Sequence, residues 1–327
     1  MCTAINYVNG HHYIGRNLDW EADFPNDVVI TPRNFEFHWR NGKTLKSHNA
    51  IIGMAIIQNN YPLYFEGAND KGIGMVGTAF AGFAKYFPKK EGKENIASFE
   101  LIPYILGQAE TLQQARELFE GLNVWNENFS AQQPASPLHW LIGSKDGSFV
   151  VECTEEYGIK IYDDPWGVLT NGPTFEWMTY NMANYSILTP QTPTITFAPD
   201  VKGFNLYSRG MGSFGLPGGV DSVSRFVRAA FTKLNSVCDK DDALKNVFEY
   251  FHCLTNVQQV SGEAEIKPGQ FEITQYSCCC DTDTGIFYYT TYYNQSINAV
   301  DMNKENLDGD QLISYPVIKT AEIITQN

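Results

Sequence analysis

The chain opens MCTAIN, with a cysteine directly behind the initiator methionine. Removal of Met1 would leave Cys2 with a thiol and a free α-amine on the same carbon. Ordinary pKa values, about 8.5 for a thiol and about 7.7–8.0 for an α-amine, let the amine take the thiol proton near neutral pH, directly or through a water. Position 2 also tolerates any small residue after Met1, so only partners distinguish a nucleophile from a bystander. The nearest candidates are Arg16 and Asp19 in GRNLD. An arginine favours a thiolate, and a carboxylate can hold an α-amine by hydrogen bonding.

Those residues reach Cys2 only if the chain turns back on itself. Thr3 to Val8 and Tyr13 to Leu18 read as strands around Asn9-Gly10, a strong tight-turn signal. A two-residue loop places Cys2 opposite Asn17 with Asp19 diagonal on the same face. A three-residue loop turns Arg16 toward Cys2 instead. Sequence leaves the register open.

The remaining pattern alternates strands and helices. AIIGMAII and GIGMVGTAF read as buried strands between the turns NNYP and NDKG. SFELIPYILGQ reads as a helix capped by Ser98, and TLQQARELFEGL as one opened by a Thr111–Gln114 capping box, with Leu112, Ala115, Leu118 and Phe119 on one face. Strands follow at LHWLIGS, SFVVECT, GIKIYDD and GVLTN. A second helical pair spans SVSRFVRAAFTKLNS and DALKNVFEYFHCL, and a late hairpin joins EITQYSCCC to GIFYYTTYY. This predicts an α+β fold of adjoining sheets with helices outside them, in one domain over residues 1–327. The stretch 184–219 carries four prolines and six glycines, which predicts a long excursion that packs on a partner subunit or rims the site.

Composition narrows the function. The 327 residues are 43% hydrophobic, enough for a sizeable core. The 23 Lys plus Arg against 37 Asp plus Glu give a net charge of −14, which argues against nucleic acid and anionic membrane partners. Any anionic substrate needs local positive groups. No signal peptide or membrane span is read, so a cytoplasmic enzyme is expected. Seven cysteines lack disulfide or metal spacing, and Cys278 to Cys280 read as strand core with reduced thiols. No metal or cofactor is expected. GIGMVG at Gly72 to Gly77 follows a polar turn, so its glycines read as close strand packing rather than a dinucleotide site. His139 and His252, in apolar runs, read as satisfied core histidines.

The segments MCTAI, GRNLDWE, VVITPRNF, NDKGIGMVG, SPLHW, VLTNGPTFEW, YSRGMG, GLPGG, SVSRFVRAAF and YYTTYYNQSINAVDMNKENL, in order from residue 1 to about residue 315, resemble the choloylglycine hydrolase family. These N-terminal-nucleophile amidases include bile salt hydrolases and penicillin V acylases. The resemblance implies an αββα sandwich and a homotetramer, with residues 184–219 as the tongue between subunits. It implies Cys2 as nucleophile, with Arg16, Asp19, Asn171 and Arg225 as the other catalytic positions. Bile salt hydrolases have asparagine where this chain has Ala79, and penicillin V acylases tyrosine. Only the Ala79 main-chain N–H then stands beside Asn171 for an oxyanion, and the pocket is wider than with tyrosine. The SRG triplet at Ser208 to Gly210 is similar to that of enzymes favouring taurine conjugates. The expected reaction is cleavage of the amide in taurine- or glycine-conjugated bile acids, with Leu18, Trp20 and Phe24 as apolar wall. The alternatives are a penicillin V or N-acyl-homoserine-lactone acylase, and a non-catalytic ligand-binding relative.

Overall fold

A computed structural model describes residues 1–327. In chain order its principal strands are β1 (Cys2–Asn9), β2 (His11–Trp20), β3 (Asp27–Thr31), β4 (Ile51–Gln58), β5 (Tyr61–Asn69) and β6 (Gly74–Ala79). Helices α1 (Leu101–Gln108) and α2 (Leu112–Gly121) follow, then β7 (Leu138–Ser144), β8 (Gly147–Thr154), β9 (Gly158–Asp163) and β10 (Val168–Leu169). After α3 (Phe175–Asn181), α4 (Ser222–Asn235) and α5 (Ala243–Thr255) come β11 (Ile273–Asp281), β12 (Ile286–Thr291), β13 (Asn294–Asp301) and β14 (Ile313–Pro316).

The strands form two large antiparallel sheets, six-stranded in the order β10-β1-β2-β11-β12-β13 and eight-stranded in the order β9-β8-β7-β6-β5-β4-β3-β14. The period of two sorts each strand of the larger sheet between two cores. Val29, Ile51, Met75 and Ile142 pack outward with Ile105 of α1 and Phe119 of α2. Their neighbours Val28, Ile52, Val76 and Leu141 pack inward toward Ile14 of β2. On the far side of the six-stranded sheet, Phe226 of α4 and Val247 of α5 complete the layers. Helix, sheet, sheet, helix is the expected αββα sandwich. Its two inner strand layers are buried on both faces, which explains runs such as AIIGMAII. The sheets approach closely at Gly74, where a Cβ would sit 2.2 Å from Ile14 Cγ2, and Gly77 lies against Trp140, so these two glycines of GIGMVG serve packing, while Gly72, at φ 88°, serves the turn before the strand.

The first hairpin takes the three-residue loop. Val8 faces His12 and Cys2 faces Leu18, with Gly10 at φ 72° in the turn. Thr111 caps α2 by accepting from the Gln114 N–H at 3.1 Å, but Gln114 Oε1 returns to the Glu110 N–H rather than to Thr111. Ser98 caps nothing. Its hydroxyl has no partner, and a turn of 3-10 helix over Ser98–Glu100 precedes α1, with the Glu100 carboxylate taking the Ala97 N–H at 3.0 Å. The glutamate, longer and charged, outcompetes the serine. Cys278, Cys279 and Cys280 are buried and free. His252 is exposed on α5, contrary to the core reading, because its helix position faces away while Phe251 and Cys253 turn inward. Residues 186–221 form no strand and, apart from isolated turns, only one short 3-10 helix, Met211–Ser213.

Candidate active site

Cys2 begins β1, in the interior of the six-stranded sheet between β10 and β2. The strand's two faces give its atoms different surroundings. The side chain of Cys2 shares a face with Leu18 and Arg16, toward the eight-stranded sheet, while Thr3, Asn17 and Asp19 face the helices.

On the inter-sheet side, Arg16 is 2% exposed. Its Nη2 donates to Cys2 Sγ and its Nη1 to the Gly77 carbonyl of β6. Burial pulls the guanidinium pKa down, but Cys2, Tyr276, Glu66 and Cys278 around it raise it on balance, so the cation is secure. Arg16 thus places a permanent positive charge on the sulfur, which a thiolate needs in so buried a place.

On the helix side, Arg225 is wholly buried in the first turn of α4. The Asp221 carboxylate fixes that turn by accepting from the Val223 and Ser224 N–H groups, each at 3.0 Å. Arg225 Nη1 donates to the Cys2 carbonyl and, at 2.6 Å, to Thr3 Oγ1, while Nη2 donates to Asn171 Oδ1 at 2.6 Å. Asn171 stands just beyond β10, held by its N–H donating to Ser222 Oγ at 2.9 Å. Its Oδ1 also accepts from the Cys2 N–H at 2.9 Å, and its Nδ2 donates to the Ala79 carbonyl at 2.8 Å. Asn171 therefore clasps the Cys2 nitrogen and the end of β6 together.

Asp19 is wholly buried, and burial raises its carboxyl pKa against the pull of Arg225, the chain's amino terminus and Thr274. Oδ1 accepts from Thr274 Oγ1 at 2.6 Å, and Oδ2 has no partner. The Met1 ammonium donates to the Asp19 carbonyl at 2.8 Å and pairs with the Glu272 carboxylate. An unpartnered carboxylate oxygen beside the N-terminal segment is an acceptor waiting for a donor.

The other four residues singled out for chemistry thus stand around Cys2, with Arg16, Asn171 and Arg225 bonded to it directly and Asp19 joined to the adjacent Met1 through its main chain. Ala79 borders them through its carbonyl on Asn171. Of the proposed wall, Leu18 is buried opposite Cys2 and Trp20 is 38% exposed. Phe24 packs between Trp20 and Phe65, with ring centroids 6.0 and 5.5 Å away, and lines an apolar cavity of about 400 Å³ with Leu63, Phe65, Phe129 and Leu138. Leu138 is the strand partner of Ala79, which brings the cavity to the site's edge.

Residues 2–315 match the linear amide C–N hydrolases of the choloylglycine hydrolase family. The chain belongs to that family. It is therefore an amidase of the N-terminal-nucleophile fold. It is 46% identical to a bile salt hydrolase/transferase of Lactiplantibacillus plantarum over the full length of both chains. It is 35% identical to one from Clostridium perfringens, covering 99% of each. Its structure superposes on a crystal structure of a variant of the Clostridium perfringens conjugated bile acid hydrolase with a TM-score of 0.91 and 35% identity, covering 100% of both. The fold extends to penicillin V acylase from Agrobacterium tumefaciens, with a TM-score of 0.75 at 18% identity, covering 96% of this chain and 90% of that one.

Three residues at the site were not anticipated. Thr274 and Glu272 on and beside β11 arrive from the far end of the chain with no local signal. Glu66, a lone charge in the strand YPLYFEGAN, was visible as an anomaly. His139 is satisfied as expected, its Nδ1 3.2 Å from Glu152 Oε1 and its Nε2 3.1 Å from the Thr170 carbonyl. His11, Asp281 and Asp283 could together hold a cation, but they sit at the opposite end of the hairpin, about 23 Å along β1.

Arg225 offsets the buried Asp19 charge, so its removal leaves that charge uncompensated. Arg225→Ala is expected to lower the unfolding free energy in urea by about 3–5 kcal/mol. A loss of only a few tenths, typical of solvated surface pairs, would contradict the packing described.

Proposed function

We propose that this enzyme hydrolyses the amide bond of taurine- or glycine-conjugated bile acids, with Cys2 as nucleophile. The observation that carries the mechanism is the convergence of Arg16 on Cys2 Sγ and Asn171 Oδ1 on Cys2 nitrogen. Removal of Met1 converts that nitrogen from an amide to an amine, and the free Asp19 Oδ2 is the acceptor that would hold it. The amine takes the thiol proton and Arg16 steadies the thiolate. Sulfur then attacks the amide carbonyl, and the oxyanion is held by Asn171 Nδ2, turned from the Ala79 carbonyl, and by the Ala79 N–H. The α-ammonium returns its proton to the leaving amine, which departs as taurine or glycine and leaves a thioester on Cys2. Water, deprotonated by the same amine, attacks the thioester and frees the bile acid and the thiol.

The substrate class rests on relatives at 35–46% identity over the whole chain and on the cavity beside Ala79. Its volume lies within the range that encloses a drug-sized apolar ligand, and its lining residue Leu138 is the strand partner of Ala79. The local charges of Arg16 and Arg225 supply what the acidic molecule as a whole withholds from an anionic conjugate. The seven free cysteines suit the reducing cytoplasm.

We infer that residues 184–219 pack against partner subunits, in the homotetramer that the family resemblance implies. In the single chain Ile187 is 85%, Phe197 93%, Tyr207 79% and Phe214 78% exposed, side chains that water would not leave bare.

Cys2→Ala is expected to abolish release of taurine from taurocholate with the fold intact, whereas unchanged turnover would sink the mechanism. Parallel rates on tauro- and glyco-conjugates and penicillin V test the substrate. Faster cleavage of penicillin V than of either conjugate would move the assignment to a penicillin V acylase. Light scattering on the eluting protein should give about four times the 36.8 kDa chain mass, falling when Phe197→Ser and Phe214→Ser are combined. A 36.8 kDa monomer would refute the tetramer.

A further inference from the structure

Glu66 lies on β5 in the layer between the sheets and is 1% exposed. A carboxylate there is costly unless its charge is answered. Tyr276 Oη donates to Oε1 at 2.9 Å and lies 3.0 Å from Oε2, and the Cys278 thiol is 3.5 Å from Oε1. Oε2 is 3.7 Å from Arg16 Nη1, the same guanidinium whose Nη2 donates to Cys2 Sγ. One buried cation therefore stands between two groups that can each become an anion. The groups facing Glu66 are Arg16 from β2 and Tyr276 and Cys278 from β11. Those bearing on Cys2 from other directions are its own amine, Asp19, Arg225 and, by way of the N-terminal residue, Glu272.

We propose that Glu66 is a positioning residue that holds Arg16 against Cys2 Sγ and, by competing for its charge, sets how readily Cys2 ionises. This deepens the nucleophile assignment made above and rests on it. When the Glu66 carboxyl is ionised, the guanidinium is already largely balanced and offers less to a thiolate. When the carboxyl is neutral, the full positive charge acts on sulfur. Burial pushes the Glu66 carboxyl up to about 7, against the opposing pull of Arg16 and Tyr276. The exchange therefore falls near neutral pH, with the pull of Arg16 on sulfur weakening as pH rises through that value. A packing role alone would need no charge at this place, since glutamine or an apolar side chain fills the same volume.

The test is the rate of Cys2 alkylation by iodoacetamide against pH, read by mass spectrometry on the N-terminal peptide of the full-length processed enzyme. Glu66→Gln keeps the volume and an acceptor for Tyr276. It is expected to lower the midpoint of the profile by about one unit, an up to about tenfold gain in labelling below both midpoints. Tyr276→Phe removes the hydrogen bond that favours the charged carboxylate, so it should shift the midpoint in the same direction by less. It decides the matter if Glu66→Gln does not fold. Profiles superimposable on that of the unsubstituted enzyme, or shifted upward, overturn the proposal. Hydrolysis that survives Cys2→Ala would instead overturn the nucleophile assignment, while the labelling profile would still report on Glu66.

Discussion

Two guanidinium groups, buried on opposite faces of one strand pair, are the constraint around which the rest is arranged. Neither Arg16 nor Arg225 can stay buried without acceptors, because a desolvated cation left unpaired costs several kcal/mol. Each meets that demand with atoms of Cys2, Arg16 through the sulfur and Arg225 through the carbonyl. The bonds that satisfy the buried cations are thus the same bonds that fix Cys2, the residue proposed as nucleophile. Cys2 is held where two independent charges specify it, and the αββα architecture supplies a place where both faces of its strand are dry.

The rest of the fold can be understood as support for those cations. The cap at Asp221 fixes the first turn of α4 and with it Arg225. The β6 strand offers the Gly77 carbonyl to Arg16 and the Ala79 carbonyl to Asn171, so the larger sheet is tied to the partners of Cys2 from across the inter-sheet layer. The close approach at Gly74 keeps that distance short. The cavity lined by Phe24, Phe65 and Leu138, proposed above to take the acyl group, lies outside this frame.

Much of this was legible in the sequence. Binary patterning gave the strands, the helices and an α+β arrangement of adjoining sheets with helices outside them, because each layer is apolar with its own period, whereas the αββα sandwich came from the family resemblance. The Asn9-Gly10 turn brought Arg16 and Asp19 back to Cys2, but the register depended on whether the loop held two residues or three. The three-residue loop, with Gly10 left-handed, puts Arg16 on the face of Cys2 and Asp19 on the opposite one. Asn171 and Arg225 were reached only through family resemblance, since nothing local joins residues 169 and 223 positions away from Cys2. Thr274 and Glu272 lay beyond even that, and Glu66 stood out only as a lone charge in an apolar strand, because the partners of all three are chosen by how strands β5 and β11 stack and pair. Ser98 failed as a cap because sequence shows which residues can cap, not which neighbour wins.

The central claim is that the amine of Cys2, once Met1 is gone, is the base and acid of the reaction. Intact mass measured on the same preparations as active-site titration with a conjugated bile acid tests it most directly. The account predicts that the fraction of chains lacking Met1 equals the fraction that forms a Cys2 thioester and turns over. A homogeneous preparation that retains Met1 and hydrolyses the conjugate at full rate would contradict it.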